Sequence, residues 1–165
     1  MKYERSLFTF KDGNIERMFG ATDDAIYDLT VIDSADNYVI ATENDDPLVT
    51  DTGDNIGWTS TLQHIAMSGL TGGDWITTQF VNPDGDVFLR GVNGADPSFI
   101  YDGTTFDTTP EVTFPQDVTL TSADLSYIWS YKLRLFFIQK DSLDAWYLPV
   151  DQIAGELKKF PLGGI

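Results

Sequence analysis

Apolar and aromatic residues come in short runs, separated by polar clusters that contain Gly, Asp or Pro. Ser6 to Phe10 (SLFTF), Trp75 to Val81 (WITTQFV), Asp86 to Leu89 (DVFL), Ser98 to Tyr101 (SFIY) and Leu133 to Ile138 (LRLFFI) are rich in β-branched and aromatic side chains. That composition suits a pleated, half-buried sheet. Between the runs stand Lys11-Asp12-Gly13-Asn14, Pro83-Asp84-Gly85-Asp86, Asn93-Gly94 and Asp102-Gly103-Thr104. Gly13, Gly85, Gly94 and Gly103 are therefore predicted turn positions, where glycine takes the positive φ of a tight hairpin at no steric cost. The pattern predicts an all-β chain whose successive strands are antiparallel neighbours.

Two stretches leave the choice of element open. Trp58 to Leu70 (WTSTLQHIAMSGL) places Leu62, Ile65, Ala66 and Leu70 at helical spacings, yet its Thr and Ser content equally suits a strand. Asp151 to Phe160 (DQIAGELKKF) reads either as a short amphipathic helical segment with Ile153, Leu157 and Phe160 inward or as a loop, since Gly155 weakens a helix.

A coarser period lies over the strands. Aligning Tyr27, Tyr101 and Tyr147 superimposes RMFGATDDAIYDLT, FLRGVNGADPSFIYDGTTF and LFFIQKDSLDAWYLPVD, each an apolar strand, a polar turn and a second strand carrying Tyr. Tyr101 and Tyr147 are 46 residues apart, and Tyr27 and Tyr101 are 74 apart. The shorter spacing matches a four-stranded propeller blade of roughly 40–50 residues. The longer one implies an acidic insertion, placed at 33–73. The expected architecture is thus a single β domain over 1–165, built of about three antiparallel, blade-like meanders, a partial or small β-propeller.

Composition narrows the chemistry. The chain has 165 residues, 42% of them apolar and 13% aromatic, enough for one domain with a real core. Ten basic against 26 acidic residues give a net charge of -16, which disfavours nucleic-acid phosphate or anionic lipid as a direct partner. No apolar run reaches the ~18 residues of a membrane span. With no cysteine there are no disulfides, thiolate nucleophiles or Cys-ligated metals.

Each candidate chemical site has a plainer reading that outweighs it. The lone His64 has no nucleophile at a recognisable spacing. Asp33, Asp36, Glu43, Asp45, Asp46, Asp51 and Asp54 offer hard oxygens, but no D-x-[DN]-x-[DN]-G loop with a closing Glu is present. Asp84 and Asp86 flank Gly85 as turn residues rather than as a carboxylate pair across a cleft. No phosphate loop occurs. Catalytic, cofactor and metal residues are therefore predicted to be absent, and the chain is not expected to be an enzyme. The aromatic cluster Trp129, Tyr131, Phe136, Phe137, Trp146 and Tyr147 is expected to pack in or between sheets, with Phe136 and Phe137 on opposite faces.

The run RLFFIQKDSLDAWYLPVDQIAGELKKFPLGGI, with VNGADPSFIYDGTTF and AIYDLT upstream, resembles a group of β-propeller-like virion structural proteins of tailed phages and prophages, components of the tail or its nozzle. The similarity covers residues 15–30 and 73–165 and is densest around Tyr101-Asp102-Gly103 and Ala145-Trp146-Tyr147-Leu148-Pro149. It implies a rigid, non-enzymatic scaffold located in the virion and assembled in the bacterial cytoplasm, with other virion proteins as partners. Members of that group run on at both ends, so the resemblance implies an excised piece or a short relative. Sheets left without neighbours are expected to drive homo-oligomerisation, with the apolar Leu162 and Ile165 as interface residues. The competing reading is a carbohydrate-binding or host-surface-recognising module with Trp58, Trp75 or Trp146 as stacking platforms.

Overall fold

A computed structural model of the chain describes residues 4–32, 36–39, 57–60 and 63–160, with side chains at 4–30 and 64–160. The strands are β1 (Ser6–Asp12), β2 (Ile15–Ala21), β3 (Ala25–Ile32), β4 (Asp36–Val39), β5 (Gly57–Ser60), β6 (Gln63–Ser68), β7 (Ile76–Val81) and β8 (Val87–Val92). They continue as β9 (Phe99–Tyr101), β10 (Phe106–Asp107), β11 (Val112–Thr113), β12 (Leu125–Tyr131), β13 (Arg134–Gln139), β14 (Ala145–Tyr147), β15 (Gly155–Glu156) and β16 (Lys158–Phe160). The protein is all-β and its large sheets are antiparallel. Among the described residues no helix is long and apolar enough to cross a membrane.

Three four-stranded meanders account for most of the strands. The first sheet runs β1-β2-β3-β6, the second β7-β8-β9-β10 and the third β12-β13-β14-β16. Short turns suffice because neighbours are antiparallel, and Gly13, Gly85, Gly94 and Gly103 all sit at positive φ. An antiparallel β4-β5 pair and a parallel β11-β15 pair account for the remaining described strands.

The two open segments resolve into strands. Trp58 to Leu70 contains β5 and β6, and β6 closes the first sheet as its fourth strand. Asp151 to Phe160 contains β15 and β16 and no helical turn. Gly155 takes φ 111°, which a helix cannot accommodate, and Leu157 is fully buried while Phe160 is exposed.

Tyr27, Tyr101 and Tyr147 each occupy the third strand of a meander, opposite Gly20, Leu89 and Phe136 respectively. Their faces differ. Tyr101 turns toward the first sheet, whereas Tyr147 turns away from the second, and Trp146 holds the inward position of the third sheet.

Alternation along the strands builds two cores. Between the first and second sheets lie Phe8, Phe10, Phe19, Ala21 and Ile26 against Leu89, Phe99 and Tyr101, with Leu70 and Trp75. Between the second and third lie Phe80 and Val92 against Leu125, Ile128, Leu135, Phe137 and Trp146. The sheets thus stack in series, and the middle one is covered on both faces.

Candidate functional site

Among the described residues, serial stacking leaves one face of each terminal sheet uncovered. On the first sheet, Phe8, Phe10 and Phe19 point inward, so Leu7, Thr9, Lys11, Glu16 and Met18 point outward by strand alternation. The cross-strand row Leu7, Gly20, Tyr27 and Ile65 lies on that outer side, with Leu7 65% and Ile65 55% exposed. Gly20 is sealed there by the side chains of Glu4, Leu29 and Leu7.

On the third sheet the outer face is an aromatic ladder. Trp129 stacks on Phe136 at 5.2 Å between centroids, Phe136 meets Tyr147 at 5.8 Å, and Phe160 packs edge-on to Phe136 at 5.8 Å. Tyr127 extends the ladder and is 51% exposed. Phe136 and Phe137 do take opposite faces: Phe137 is fully buried in the second core and Phe136 belongs to the ladder. Arg134 lies over the Tyr147 ring at 5.3 Å, and Lys158 is the cross-strand neighbour of Tyr147. None of the four strands contains an acidic residue. Five of the ten basic residues but only four of the 26 acidic ones fall within 125–160. In a chain of charge -16 this face stands apart as aromatic and cationic.

A second surface feature is a cleft between the first and second sheets, of about 470 Å³, lined by Arg17, Phe19, Asp28, His64, Tyr101 and Phe106 with the 103–105 turn. Strand register assembles it. Asp28 stands between Phe19 on β2 and His64 on β6, and Arg17 follows on the same face of β2. Arg17 Nη1 lies 3.5 Å from the Asp28 carboxylate, which also accepts hydrogen bonds from the Thr30 backbone N–H at 2.8 Å and from the Thr30 hydroxyl. From the second sheet come Tyr101 and the turn that follows it. Asp102 Oδ1 accepts the backbone N–H groups of Thr104 and Thr105, each at 2.8 Å. Those bonds, led by Thr105, hold the Asp102 carboxyl below its ordinary value. Burial pushes the Tyr101 hydroxyl up, opposed by the nearby Arg17 charge.

The tryptophans expected to stack on sugars are placed otherwise. Trp75 and Trp146 are each only 3% exposed, Trp75 against Phe99 in the first core and Trp146 against Phe114 in the second, so neither offers a ring face to a ligand. The side chain of Trp58 lies outside the described residues, as do Leu162, Ile165 and the side chains of the acidic segment. Asp86 accepts a hydrogen bond from the Asn82 amide inside its hairpin and does not line the cleft. His64 is exposed at the cleft mouth. Among the described residues no three His, Asp or Glu side chains gather to hold a metal ion. Sequence reasoning missed Arg17 and Asp28, although each breaks the apolar inward alternation of its strand.

No protein-family model, no curated protein and no solved structure matches the chain.

Proposed function

We propose that the chain is a non-enzymatic structural component of a phage or prophage virion, of tail or nozzle type. In this role it forms a rigid scaffold by stacking copies of itself head to tail. The observation that carries the reading is the pair of uncovered apolar faces at the two ends of the stack. Inside the chain each sheet meets its successor with one face and its predecessor with the other. Among the described residues no further sheet covers the outer face of the first sheet or of the third, and a second copy continues the series in the same sense.

Such contacts are heterologous, so they close into a ring or run on as a filament. Two copies supply six meanders, within the roughly four to eight blades of closed propellers. The favoured assembly is a dimer with two equivalent interfaces. Its place is the virion, after assembly in the bacterial cytoplasm, with other virion proteins on its loops.

Sedimentation at tens of micromolar, at low and at high salt, tests the assembly. A dimer is expected, favoured by salt, because screening over about 8 Å at physiological ionic strength relieves the mutual repulsion of two acidic chains while apolar contact persists. A monomer under both conditions overturns the reading. Mass spectrometry of purified particles tests the virion assignment.

A further inference from the structure

We propose that the cleft between the first and second sheets binds a neutral, polyhydroxylated small molecule, a mono- or disaccharide. This goes beyond assembly, for the cleft lies between the two covered faces and none of the residues that line it belongs to the uncovered ones.

The volume, about 470 Å³, falls within the roughly 300–1,000 Å³ typical of small-molecule sites. The chemistry of its walls decides what fits. Phe106 is half-buried; it packs edge-on against Phe19 at 4.9 Å and Phe99 at 4.9 Å, and it also borders the cleft. An aromatic border of that kind suits the C–H face of a pyranose. Around it stand a guanidinium that only donates, a carboxylate that only accepts, and the Thr104, Thr105 and Tyr101 hydroxyls, which do both. Donors and acceptors together on the walls of one cleft match vicinal hydroxyls, each of which both donates and accepts.

Charge excludes the nearest competitor, an anion. The Arg17 cation faces the Asp28 carboxylate at 3.5 Å, so the cleft presents no uncompensated positive charge, and the surrounding chain is strongly acidic. That separation exceeds the 2.7–3.2 Å of a full N–H···O bond, and a guanidinium carries five N–H donors, so Arg17 keeps hydrogen-bonding capacity toward a ligand. A purely apolar ligand would use none of these donors and acceptors.

The test is a titration of the full chain with neutral mono- and disaccharides, with sialic acid and inorganic phosphate as anionic arms, followed by two-dimensional NMR of the backbone amides. The expected result is a saturable shift confined to Gly103, Thr104, Thr105 and the neighbours of Arg17 and His64. Arg17→Gln should weaken that binding about tenfold or more, and Trp129→Ala, on the outer ladder, should leave it unchanged. Arg17 is half-exposed, and a dispersed amide spectrum confirms that the variant is folded; should it not be, Thr104→Val and His64→Ala on the exposed rim carry the same comparison. No saturable shift with any neutral sugar overturns the proposal. So does a preference for the anions, or a shift pattern centred on Trp129 and Tyr147.

Discussion

Lys140 Nζ donates a hydrogen bond to the Gly94 carbonyl at 2.9 Å, and the two residues occupy the same turn, between the second and third strands, of consecutive sheets. The backbone adds to the contact, since Gly94 N–H donates to the Leu125 carbonyl and Lys140 N–H to that of Asp124. The equivalent turn of the first sheet is tied in by residues 70–72: Leu70 N–H donates to the Asp24 carbonyl, and Thr71 and Gly72 N–H groups donate to the Asp96 carboxylate. Equivalent turns of the three meanders thus form a continuous belt.

Substitution at Gly94 should therefore cost more than at an isolated turn glycine. Gly94 has φ 70°, and an added Cβ would meet Lys140 Cδ at 3.2 Å and Ser126 Cβ at 3.3 Å. Gly13 has φ 55° and nothing within 4 Å. Alanine at Gly13 is expected to cost about 1–2 kcal/mol, the left-handed backbone cost alone. Alanine at Gly94 should exceed that, and Lys140→Met should cost about 1 kcal/mol. Urea unfolding of the three variants checks the order; equal costs at the two glycines would mean that the belt does not add to stability.

Gly91 creates a second close approach, inside the first core. A Cβ there would lie 2.4 Å from the Phe99 ring, which sits directly across the β8-β9 pair. The ring is fully buried and cannot swing out. Gly91→Ala should destabilise by about 1–3 kcal/mol or more through overpacking. In the double variant with Phe99→Leu the two costs should fall short of additive, because the clash disappears with the ring. Strictly additive losses in thermal unfolding would refute the packing account.

How much of this was legible in the sequence differs by element. The turns were, because glycine flanked by Asp or Asn has few other uses, and Gly13, Gly85, Gly94 and Gly103 all take positive φ. The strand carrying each tyrosine was also legible, but not its face, since a one-residue slip exchanges Tyr147 for Trp146. Lys158–Phe160 escaped as the closing strand of the third sheet because KKF is short and charged, and only pairing with β14 makes it a strand. The cleft escaped for another reason. Arg17, Asp28, His64 and Tyr101 are far apart in sequence and meet only through meander register and the stacking of two sheets.

Arg90 joins the second sheet to the segments that cap the second core. It is almost wholly buried and donates to the carbonyls of Ile153 at 2.7 Å and Pro110 at 3.2 Å and to the Ser98 hydroxyl at 3.2 Å. Burial lowers its guanidinium to about 10, with Glu111 opposing the shift. Arg90→Met removes a buried charge but strands three acceptors, and the loss should win by about 2 kcal/mol or more. The folded value lies below the unfolded one, so folding is disfavoured by a constant amount below about pH 10 and that penalty fades as pH rises from there. The stability difference between wild type and Arg90→Met should accordingly be flat from pH 5 to 9 and widen above about 10. A difference that changes within the neutral range would contradict it.

Acid should loosen the turn beside the cleft. The Asp102 carboxyl is held below 3.8 chiefly by the Thr105 N–H bond. A depressed folded value means that the unfolded chain binds the proton first, so this contribution to stability is present above about pH 3.8 and is lost as pH falls through the folded value. The Thr104 and Thr105 amide shifts should titrate with a midpoint below 3.8, and Asp102→Ala should abolish that titration. A midpoint at or above 3.8 would mean that the bonds do not hold in solution.

Head-to-tail association makes a prediction that face-to-face association does not. Phe136→Glu places a carboxylate in the aromatic ladder, and Leu7→Glu places one on the outer face of the first sheet; both side chains are at least partly exposed, so neither variant should unfold. Each alone has one intact face, and because the contact pairs unlike faces, each alone should be monomeric. Mixed in equal amounts, the intact ladder of Leu7→Glu meets the intact first-sheet face of Phe136→Glu, and one of the two interfaces of the wild-type dimer is restored. The mixture should therefore sediment partly as a heterodimer, weaker than the wild-type dimer because its second interface stays open. If like faces paired instead, one variant alone would remain dimeric and mixing would add nothing, and that outcome would overturn the serial-stack assembly while leaving the fold intact.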